Sequence, residues 1–246
     1  MSKWLEGRVI EYRAWTNTLF SLRAESPRLR FEAGQFVRIA LDIGGERIAR
    51  PFSFVNPPQD PVLEFYGVIV PEGPLSPHLA RLRKGDSLFV AGNPSGFLVL
   101  GEVPSAQDLW LVATGTGIAP FLSILRTETP WQRYRRVILV HAARRASELV
   151  YADIIDAVQR ERGDRFLAIK FTSRESIPHA LEGRIPAAIR DGRLEAVAQP
   201  IAPERSQFML CGNPQMLKDV AAELTARGLR KNRRRTPGHI TVESFW

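Results

Sequence analysis

The chain has 246 residues, of which 44% are hydrophobic, and this length allows one large or two ordinary domains. Its formal net charge of +8 favours an acidic partner, namely a nucleic acid, a membrane surface or an acidic protein. The single cysteine, Cys211, excludes a disulfide framework within one chain and favours a reducing cytoplasm. We expect no transmembrane helix, no secretory signal and, because the histidines are scattered, no metal site.

Short segments rich in Val, Ile, Phe, Leu and Tyr occupy the first hundred residues, with turn signals between them. Their spacing of about 10–15 residues predicts a small antiparallel barrel or sandwich. One helical turn interrupts these strands, and we expect Ser76 to cap it with Pro77 in the first helical position. The predicted strands are 8–15, 18–23, 35–41, 47–55, 62–70 and 87–91.

A stretch marked by glycine and proline, 92–104, separates two regions of different pattern. We place the domain boundary there, with a first domain at 1–98 and a second at 99–246. In the second region apolar strands alternate with amphipathic helices, which predicts a doubly wound parallel sheet with right-handed crossovers. The predicted strands are 108–113, 136–142, 166–172, 207–211 and 239–243, and the predicted helices are 119–127, 148–162, 185–191 and 214–227, the last capped by Asn213.

The run 109–125 joins an apolar segment that suits a buried strand to a glycine turn and the start of a helix. Gly115 and Gly117 allow a tight turn that a ligand can approach closely, and Pro120 fits the first turn of the helix. Free N–H groups and the positive end of the helix dipole make such a turn an anion site. A third glycine would stand at Pro120 in the common dinucleotide fingerprint, so a purely structural turn remains an alternative.

Two motifs in the first domain could hold a phosphate. In Arg50-Pro51-Phe52-Ser53 the guanidinium can pair a diphosphate, while the ring packs on a flat heterocycle and the hydroxyl bonds its edge. The stretch 73–77 is a glycine turn that enters a short helix. Taken alone, the first motif is more simply an ordinary strand with an exposed arginine, and the second a capped helix.

Arginines follow two predicted strands of the second domain. Arg144 and Arg174 stand at these strand ends, and Arg184 lies a short way beyond. Such a group suits the 2′-phosphate that NADP has and NAD lacks. No acidic residue stands about 20 residues beyond Gly115 to hold a ribose hydroxyl. The alternative is that these are surface arginines of a basic chain.

Two further candidate functional features are the strand that ends at Cys211 and the C-terminus. Cys211 lacks a histidine nearby in sequence, so we do not interpret it as a nucleophile, and a buried apolar role is an alternative. A chain end formed by Phe245 and Trp246 should be tied down on something apolar or flat. The carboxylate of Glu243 just before it could serve proton traffic or a ribose contact.

Taken together and in this order, these motifs resemble the ferredoxin–NADP reductase family, most closely its bacterial ferredoxin/flavodoxin–NADP reductase branch. The family implies an antiparallel Greek-key β-barrel that binds FAD, followed by a doubly wound α/β domain that binds NADP. The motifs that match are Arg50-Pro51-Phe52-Ser53, 73–77, 115–120, His141-Ala142-Ala143-Arg144, Ser173-Arg174-Glu175, 183–186, 210–216 and the aromatic end.

By matching positions, the resemblance places Arg50 at the FAD diphosphate, Phe52 against the isoalloxazine and Ser53 near flavin N5. Family members commonly have tyrosine where Phe52 stands, so here the stacking face remains and the hydroxyl is absent. The other residues that the resemblance implies at FAD are Pro51, Tyr66, Val68, Leu75, Ser76, Thr116, Phe245 and Trp246.

The resemblance also implies that the three arginines hold the 2′-phosphate end of NADP(H). Cys211 would lie where the nicotinamide docks and Glu243 near the flavin ring, which makes Ser53, Cys211 and Glu243 the catalytic set. The other residues implied at NADP(H) are Thr114, Gly115, Gly117, Gly212 and Asn213.

Such an enzyme moves hydride between NADP(H) and flavin N5 and passes electrons singly to ferredoxin or flavodoxin. These carriers are generally acidic, so the positive charge of the chain is expected to steer them. The family implies a monomer, with no nucleic acid or membrane partner. The alternatives are a free flavin reductase, the reductase component of an oxygenase and, from another class, a basic nucleic-acid-binding protein.

Overall fold

The computed structural model describes residues 3–244, so the predicted FAD contacts Phe245 and Trp246 lie outside the described residues. The chain divides into two compact units. The first runs up to Gly96 and includes Ala119–Arg126, and the second comprises Phe97–Ile118 and the chain from Thr127 onward. In the described part of the chain, no helix has the length and apolarity needed to cross a membrane. No cluster of His, Cys, Asp or Glu side chains within it could hold a metal ion.

The first unit is built on a six-stranded sheet whose neighbouring strands are all antiparallel, in the order β4-β3-β6-β1-β2-β5. The late strand β6 lies between β3 and β1, which gives a Greek-key order. A bridge between Phe54 and Phe65 joins the two edges of the sheet, and Val55 N–H donates to the Glu64 carbonyl at 2.9 Å. The predicted antiparallel barrel is confirmed. Its strands are β1 (Trp4–Ala14), β2 (Leu19–Glu25), β3 (Phe36–Ile43), β4 (Glu46–Ser53), β5 (Leu63–Val68) and β6 (Ser87–Ala91).

The barrel interior follows the two-residue period of its strands. Phe20 and Leu22 on β2, and Val37 and Ile39 on β3, are completely buried and belong to one apolar cluster. Because alternate residues of a strand face the same side, this spacing is what a one-sided core requires. The sequence period therefore determines which face of each strand closes the barrel.

The short helix α1 (Ser76–Leu79) starts differently from the prediction. Leu75 occupies the cap position, and no side chain caps the helix. The Ser76 hydroxyl instead accepts from the Val70 N–H at 2.9 Å, because the chain turns back at Gly73, whose own N–H donates to the Val70 carbonyl at 2.8 Å. The prediction that Ser76 caps this helix is wrong, and its side chain holds the preceding turn.

The second unit contains a six-stranded parallel sheet in the order β10-β9-β8-β7-β11-β12. The predicted doubly wound sheet is confirmed. Its strands are β7 (Asp108–Thr114), β8 (Arg136–Ala143), β9 (Phe166–Thr172), β10 (Ala180–Glu182), β11 (Ser206–Cys211) and β12 (Ile240–Glu243). The α-helices after α1 in the chain are α2 (Ala119–Leu125), α3 (Thr129–Arg133), α4 (Ala152–Arg162), α5 (Ile185–Arg190), α6 (Arg193–Val197) and α7 (Pro214–Ala226).

The elements absent from the prediction, β10, α3 and α6, are three to five residues long. Elements of that length show too few repeats of a hydrophobic period to be recognised. For α3 a signal was available, because Pro130 stands in its first turn. Conversely, α4 begins at Ala152, four residues later than predicted, because Ala146–Glu148 forms a separate 3-10 turn.

The core of the second unit lies around β7, the central strand. All five residues from Leu109 to Ala113 are fully buried, as expected for a strand covered on both faces. One cluster joins Trp110 and Val112 to apolar residues of α5 and α7. The predicted cap of α7 is confirmed, since Asn213 Oδ1 accepts from the N–H groups of Gln215 at 2.9 Å and Met216 at 3.3 Å.

The strand order fixes where a ligand can lie. From β7 the chain moves outward through β8, β9 and β10, and then returns to place β11 on the other side of β7. The connections after β7 and β11 therefore leave the sheet in opposite directions, which opens a crevice between their carboxyl ends. The residues at this switch point are Thr114 and Cys211.

Candidate functional site

Two loops meet at the switch point of the parallel sheet. A hydrogen bond from the Asn213 N–H to Thr114 Oγ1, 2.9 Å long, joins them. A Cβ added at Gly117 would overlap the Cys211 carbonyl, and one added at Gly212, where φ is +134°, would overlap the Thr114 side chain. The two backbones therefore touch, and only glycine fits at these two contact points.

Gly115 has a different role from Gly117. Its φ is +53°, and a Cβ built on it would meet nothing within 4 Å. The residues Gly115–Ile118 form a 3-10 turn that leads directly into α2, rather than an open glycine loop. The sequence predicted that both glycines admit a ligand, but the structure leaves open space only beside Gly115 and uses Gly117 for packing.

A buried histidine supports this turn from the neighbouring strand. His141 on β8 is 2% exposed and is hydrogen-bonded to the Gly115 backbone. Burial, and secondarily the charge of Lys170, lowers the pKa of His141 to about 4. The ring is therefore neutral at physiological pH and acts as an uncharged support for the turn.

Cys211 and Glu243 lie side by side on β11 and β12 in parallel register. Glu243 Oε1 accepts from the Phe97 N–H at 2.9 Å, while Oε2 is buried and has no partner among residues 3–244. Burial raises the pKa of Glu243 to about 7, against the opposite effect of the Phe97 hydrogen bond. This carboxyl can therefore hold or release a proton near neutral pH. No sequence signal indicated Phe97 as a partner of Glu243, because the two residues are 146 positions apart in the chain.

The Cys211 thiol is fully buried. Burial, and then the neighbouring Glu243 carboxyl, raises the pKa of this thiol well above its usual range. The side chain stays a neutral thiol and is not poised as a nucleophile. It is a small, uncharged residue at the carboxyl end of β11, the strand that lies between β7 and β12.

The loops after β8 and β9 bring two of the predicted arginines together. The Arg174 N–H donates to the Arg144 carbonyl at 2.9 Å. The Gly183 N–H donates to the Thr172 carbonyl at 2.9 Å, which places the segment of Arg184 beside the end of β9. All three arginines therefore belong to the carboxyl edge of the sheet that also holds the switch point.

The charges of these arginines are not equivalent. Arg144 pairs with Glu148, with Nη2 and Oε1 2.9 Å apart, so its charge is already compensated. Arg174 and Arg184 are exposed and form no ion pair with any residue between 3 and 244. The sequence signal for this pair is the i, i+4 spacing of Arg144 and Glu148. The available positive charge at this edge comes from Arg174 and Arg184.

The first unit places its predicted site residues along β4. Arg50 and Phe52 share one face of this strand, because they are two residues apart. Arg50 is exposed, donates to the Ala49 carbonyl at 2.8 Å and forms no ion pair within the described chain. The ring of Phe52 is half-buried and meets Phe65 edge to face, with centroids 6.3 Å apart. Ser53, which follows, is buried.

The other residues predicted at FAD are spread over several elements of the chain. Tyr66 and Val68 share a face of β5, and Leu75 is buried at the start of α1. The unpaired guanidinium on β4 and the half-buried ring beside it are the groups needed for a diphosphate and a flat heterocycle. The residues present therefore fit a flavin dinucleotide. The remaining predicted positions are Pro51 on β4, Ser76 in α1 and Thr116 in the 3-10 turn.

Two family models match the chain. The oxidoreductase FAD-binding domain matches residues 13–98, and the oxidoreductase NAD-binding domain matches residues 111–222. The first matched range ends within the glycine- and proline-marked stretch 92–104, and the second begins after it.

Curated relatives match over essentially the whole length. The chain is 45% identical over 248 residues to the flavodoxin/ferredoxin–NADP reductase of Shigella flexneri, with all of both chains covered. It is 37% identical over 254 residues to the ferredoxin–NADP reductase of Pseudomonas aeruginosa, covering 99% of this chain and 98% of that one.

A solved structure has the same architecture. The ferredoxin NADP+ reductase from Neisseria gonorrhoeae, with bound FAD and NADP, superposes with a TM-score of 0.94. The two chains are 33% identical, and each is covered completely.

The contact between the two switch-point loops predicts a difference between two glycine variants. Gly117→Ala should lower the free energy of unfolding by more than about 2 kcal/mol, since the new methyl overlaps the Cys211 carbonyl. Gly115→Ala should cost only about 1 kcal/mol, because the penalty is limited to the positive φ. Urea unfolding of both variants checks this, and equal losses would contradict the assignment of distinct roles.

The environment of Glu243 predicts a pH dependence of stability. In the folded state the Glu243 carboxyl holds its proton up to a pKa of about 7, whereas the ordinary pKa of a glutamate side chain is 4.5. Between these values the folded chain binds more protons than the unfolded one, so stability falls as pH rises through this window. Glu243→Gln should abolish this pH-dependent decrease in the free energy of unfolding, which amounts to at most about 3 kcal/mol.

Urea unfolding between pH 5 and pH 8 measures this effect. Glu72→Gln is the matched control, because Glu72 is exposed and forms no ion pair in the described part of the chain. An unchanged pH slope in Glu243→Gln would show that the carboxyl titrates normally.

Proposed function

Since this chain belongs to the flavodoxin/ferredoxin–NADP reductase family, we propose that it transfers electrons between NADP(H) and a flavodoxin or ferredoxin, with FAD as its cofactor. The observation that supports this most directly is the crevice at the β7–β11 switch point. There an open glycine turn, two unpaired arginines and a proton-holding carboxyl belong to one edge of one sheet. The combination suits a phosphorylated dinucleotide whose reactive end requires a proton-exchanging neighbour.

FAD is assigned to the first domain, residues 1–98. Arg50 would bind the diphosphate through the guanidinium nitrogens that make no ion pair within residues 3–244, and the Phe52 ring would pack on the isoalloxazine. The Ser53 hydroxyl would lie near flavin N5. When bound, FAD supplies the chemistry that side chains lack, since it takes up a hydride from NADPH and releases electrons one at a time. Phenylalanine at position 52 gives a stacking face without a hydroxyl.

NADP(H) is assigned to the second domain, residues 99–246. Arg174 and Arg184 would hold the 2′-phosphate, because their charges are exposed and uncompensated in the described chain. Arg144 would join them only by releasing Glu148. The backbone around Gly115 would receive the dinucleotide, and Cys211 would provide a small, uncharged surface for the nicotinamide. This charge arrangement favours NADPH over NADH.

Glu243 would handle the proton that accompanies reduction. Its free Oε2 is the atom that can carry this proton, since the Phe97 N–H occupies Oε1. A carboxyl with a pKa of about 7 is present in both protonation states at neutral pH, which suits it to proton exchange in either direction. Cys211 would limit access of water to this carboxyl.

The proposed partners and location follow from charge and cysteine content. An acidic carrier suits the net charge of +8, and a single buried cysteine suits the reducing cytoplasm. We further propose that the enzyme is a monomer. It would need neither a nucleic acid nor a membrane.

The proposal is tested by purifying the protein and following its flavin. We expect bound FAD, rapid bleaching by NADPH in stopped flow, far slower bleaching by NADH, and electron transfer to flavodoxin and ferredoxin that slows as ionic strength rises. A colourless protein that takes up no FAD would contradict the proposal. Reduction and release of added free flavin, without transfer to either carrier, would favour a free flavin reductase.

The arginine assignment predicts a change in coenzyme preference. Arg174→Ala and Arg184→Ala should each raise KM for NADPH by about tenfold or more, since each loses a charge-assisted contact worth about 1.5–3 kcal/mol. The KM for NADH should stay unchanged, because NADH has no 2′-phosphate. Steady-state reduction of a neutral quinone measures both coenzymes.

The control variant for the coenzyme test is Arg160→Ala. Arg160 is exposed at the end of α4 and forms no ion pair within the described residues. Its substitution therefore removes one positive charge, as the other two variants do, but at a place away from the strand ends. Equal losses with NADH and NADPH in the Arg174 and Arg184 variants would contradict a 2′-phosphate site.

A further inference from the structure

The densest run of positive charge in the sequence forms an ordered hairpin between α7 and β12. Arg233 and Thr236 exchange backbone hydrogen bonds, with N–O distances of 3.1 and 2.9 Å. Arg234 and Arg235 therefore stand at the tip of a two-residue turn. We name the segment 230–238 the basic hairpin. Its exposed cations are Arg230, Lys231, Arg233, Arg234 and Arg235.

A buried asparagine holds the basic hairpin in place. Asn232 is 5% exposed, and its Nδ2 donates to the Glu102 carbonyl at 2.7 Å and to Thr241 Oγ1 at 3.0 Å. Its Oδ1 accepts from the Gly238 N–H at 3.1 Å. All hydrogen-bonding groups of this side chain are used internally, so the neighbouring arginines project from a fixed backbone.

The basic hairpin reaches the carboxyl edge of the parallel sheet. Lys231 forms a parallel bridge with Ile240, so this leg of the hairpin runs alongside β12 in the same direction. The tip therefore lies at the level where β12 ends. There the Arg234 guanidinium lies over the Phe97 ring, 5.4 Å from its centroid, and the Phe97 N–H donates to Glu243. Phe97 thus connects Arg234 of the hairpin to the proposed proton-exchanging carboxyl.

The charge of this hairpin is largely uncompensated. Arg234 pairs with Glu102, with Nε and Oε1 2.9 Å apart. Arg233 and Arg235 form no ion pair with any residue in the described part of the chain. Exposed arginines that lie close together repel one another, so their charges do not stabilise the fold. They do attract an anionic surface that approaches this edge.

We propose that the basic hairpin is the docking element for the acidic electron carrier, an inference that rests on the proposed function. Its arginines pair carboxylates on the carrier and hold it beside the edge of the sheet that ends at Glu243. The fixed backbone lowers the entropy lost on docking, because the hairpin is ordered before the partner arrives. A nucleic acid is the other anionic partner to be tested, but among residues 3–244 the aromatic ring at the hairpin tip, that of Phe97, lies beneath the Arg234 guanidinium instead of being free to stack on a base.

The test compares charge reversals on and off the hairpin. Arg235→Glu should lower kcat/KM for an acidic flavodoxin, and for an acidic ferredoxin, about tenfold at low ionic strength. Arg233→Glu combined with Arg235→Glu should lower it further and flatten its dependence on salt. Arg160→Glu makes the same change of charge at the end of α4, and it should alter carrier turnover less than about twofold.

A neutral quinone as electron acceptor separates the possible failures. NADPH–quinone turnover should be unchanged in all these variants, because the quinone needs no charged docking surface. If NADPH–quinone turnover falls in the glutamate variants, the carrier assay is repeated with the milder substitutions Arg233→Gln and Arg235→Gln. Their carrier turnover then decides whether the hairpin docks the carrier. Carrier turnover that falls no more in the hairpin variants than in Arg160→Glu would overturn the inference.

Two further outcomes have distinct meanings. Loss of binding to a short DNA duplex, with carrier turnover unchanged, would overturn the inference in favour of a nucleic acid. Failure of the unmodified protein to reduce either carrier, despite normal NADPH–quinone turnover, would overturn the proposed function as well as the docking role.

Discussion

The close contact between the two loops at the β7–β11 switch point is the constraint on which the second unit depends. Gly117 and Gly212 let the Cys211 and Thr114 segments touch, and the bond from the Asn213 N–H to Thr114 fixes their separation. Without this contact the crevice would be wider, and Cys211 would lose its cover. The packing contact also sets the position of Gly115, whose open side remains available to a ligand. One steric requirement therefore organises both the sheet edge and the site.

Much of the fold could be predicted from local sequence signals. Short segments rich in Val, Ile, Phe, Leu and Tyr, separated by turn signals, indicated the six barrel strands, and Asn213 followed by Pro214 located the start of α7. The prediction failed where a side chain had two possible local partners. Ser76 stood in a plausible cap position, but its hydroxyl bonds to Val70, because the preceding turn brings that N–H closer. Sequence shows which groups can hydrogen-bond, whereas the path of the chain decides between them.

The candidate site was predictable in its residues but not in its energetics. The order of the motifs indicated Arg144, Arg174 and Glu243, and the i, i+4 spacing of Arg144 and Glu148 is a local signal for their ion pair. No local pattern showed that burial shifts the pKa of Glu243, because the surroundings of this carboxyl arise from contacts across the fold, such as the bond from the Phe97 N–H. A charged residue in the sequence is therefore only a candidate for ligand binding. Its neighbours in the folded structure decide whether its charge is free to pair with a ligand.

The arginines along the carboxyl edge of the parallel sheet fall into two groups, those that pair with a carboxylate and those that do not. Arg144 and Arg234 each pair with a carboxylate. Within residues 3–244 no such partner is found for Arg174 and Arg184 near β9, or for Arg233 and Arg235 in the basic hairpin. The free arginines near β9 and those near β12 lie at opposite sides of the sheet, with the switch point between them. Under the proposed function, a phosphorylated coenzyme and an acidic protein would therefore use separate sets of charges and would not compete for them in the same turnover.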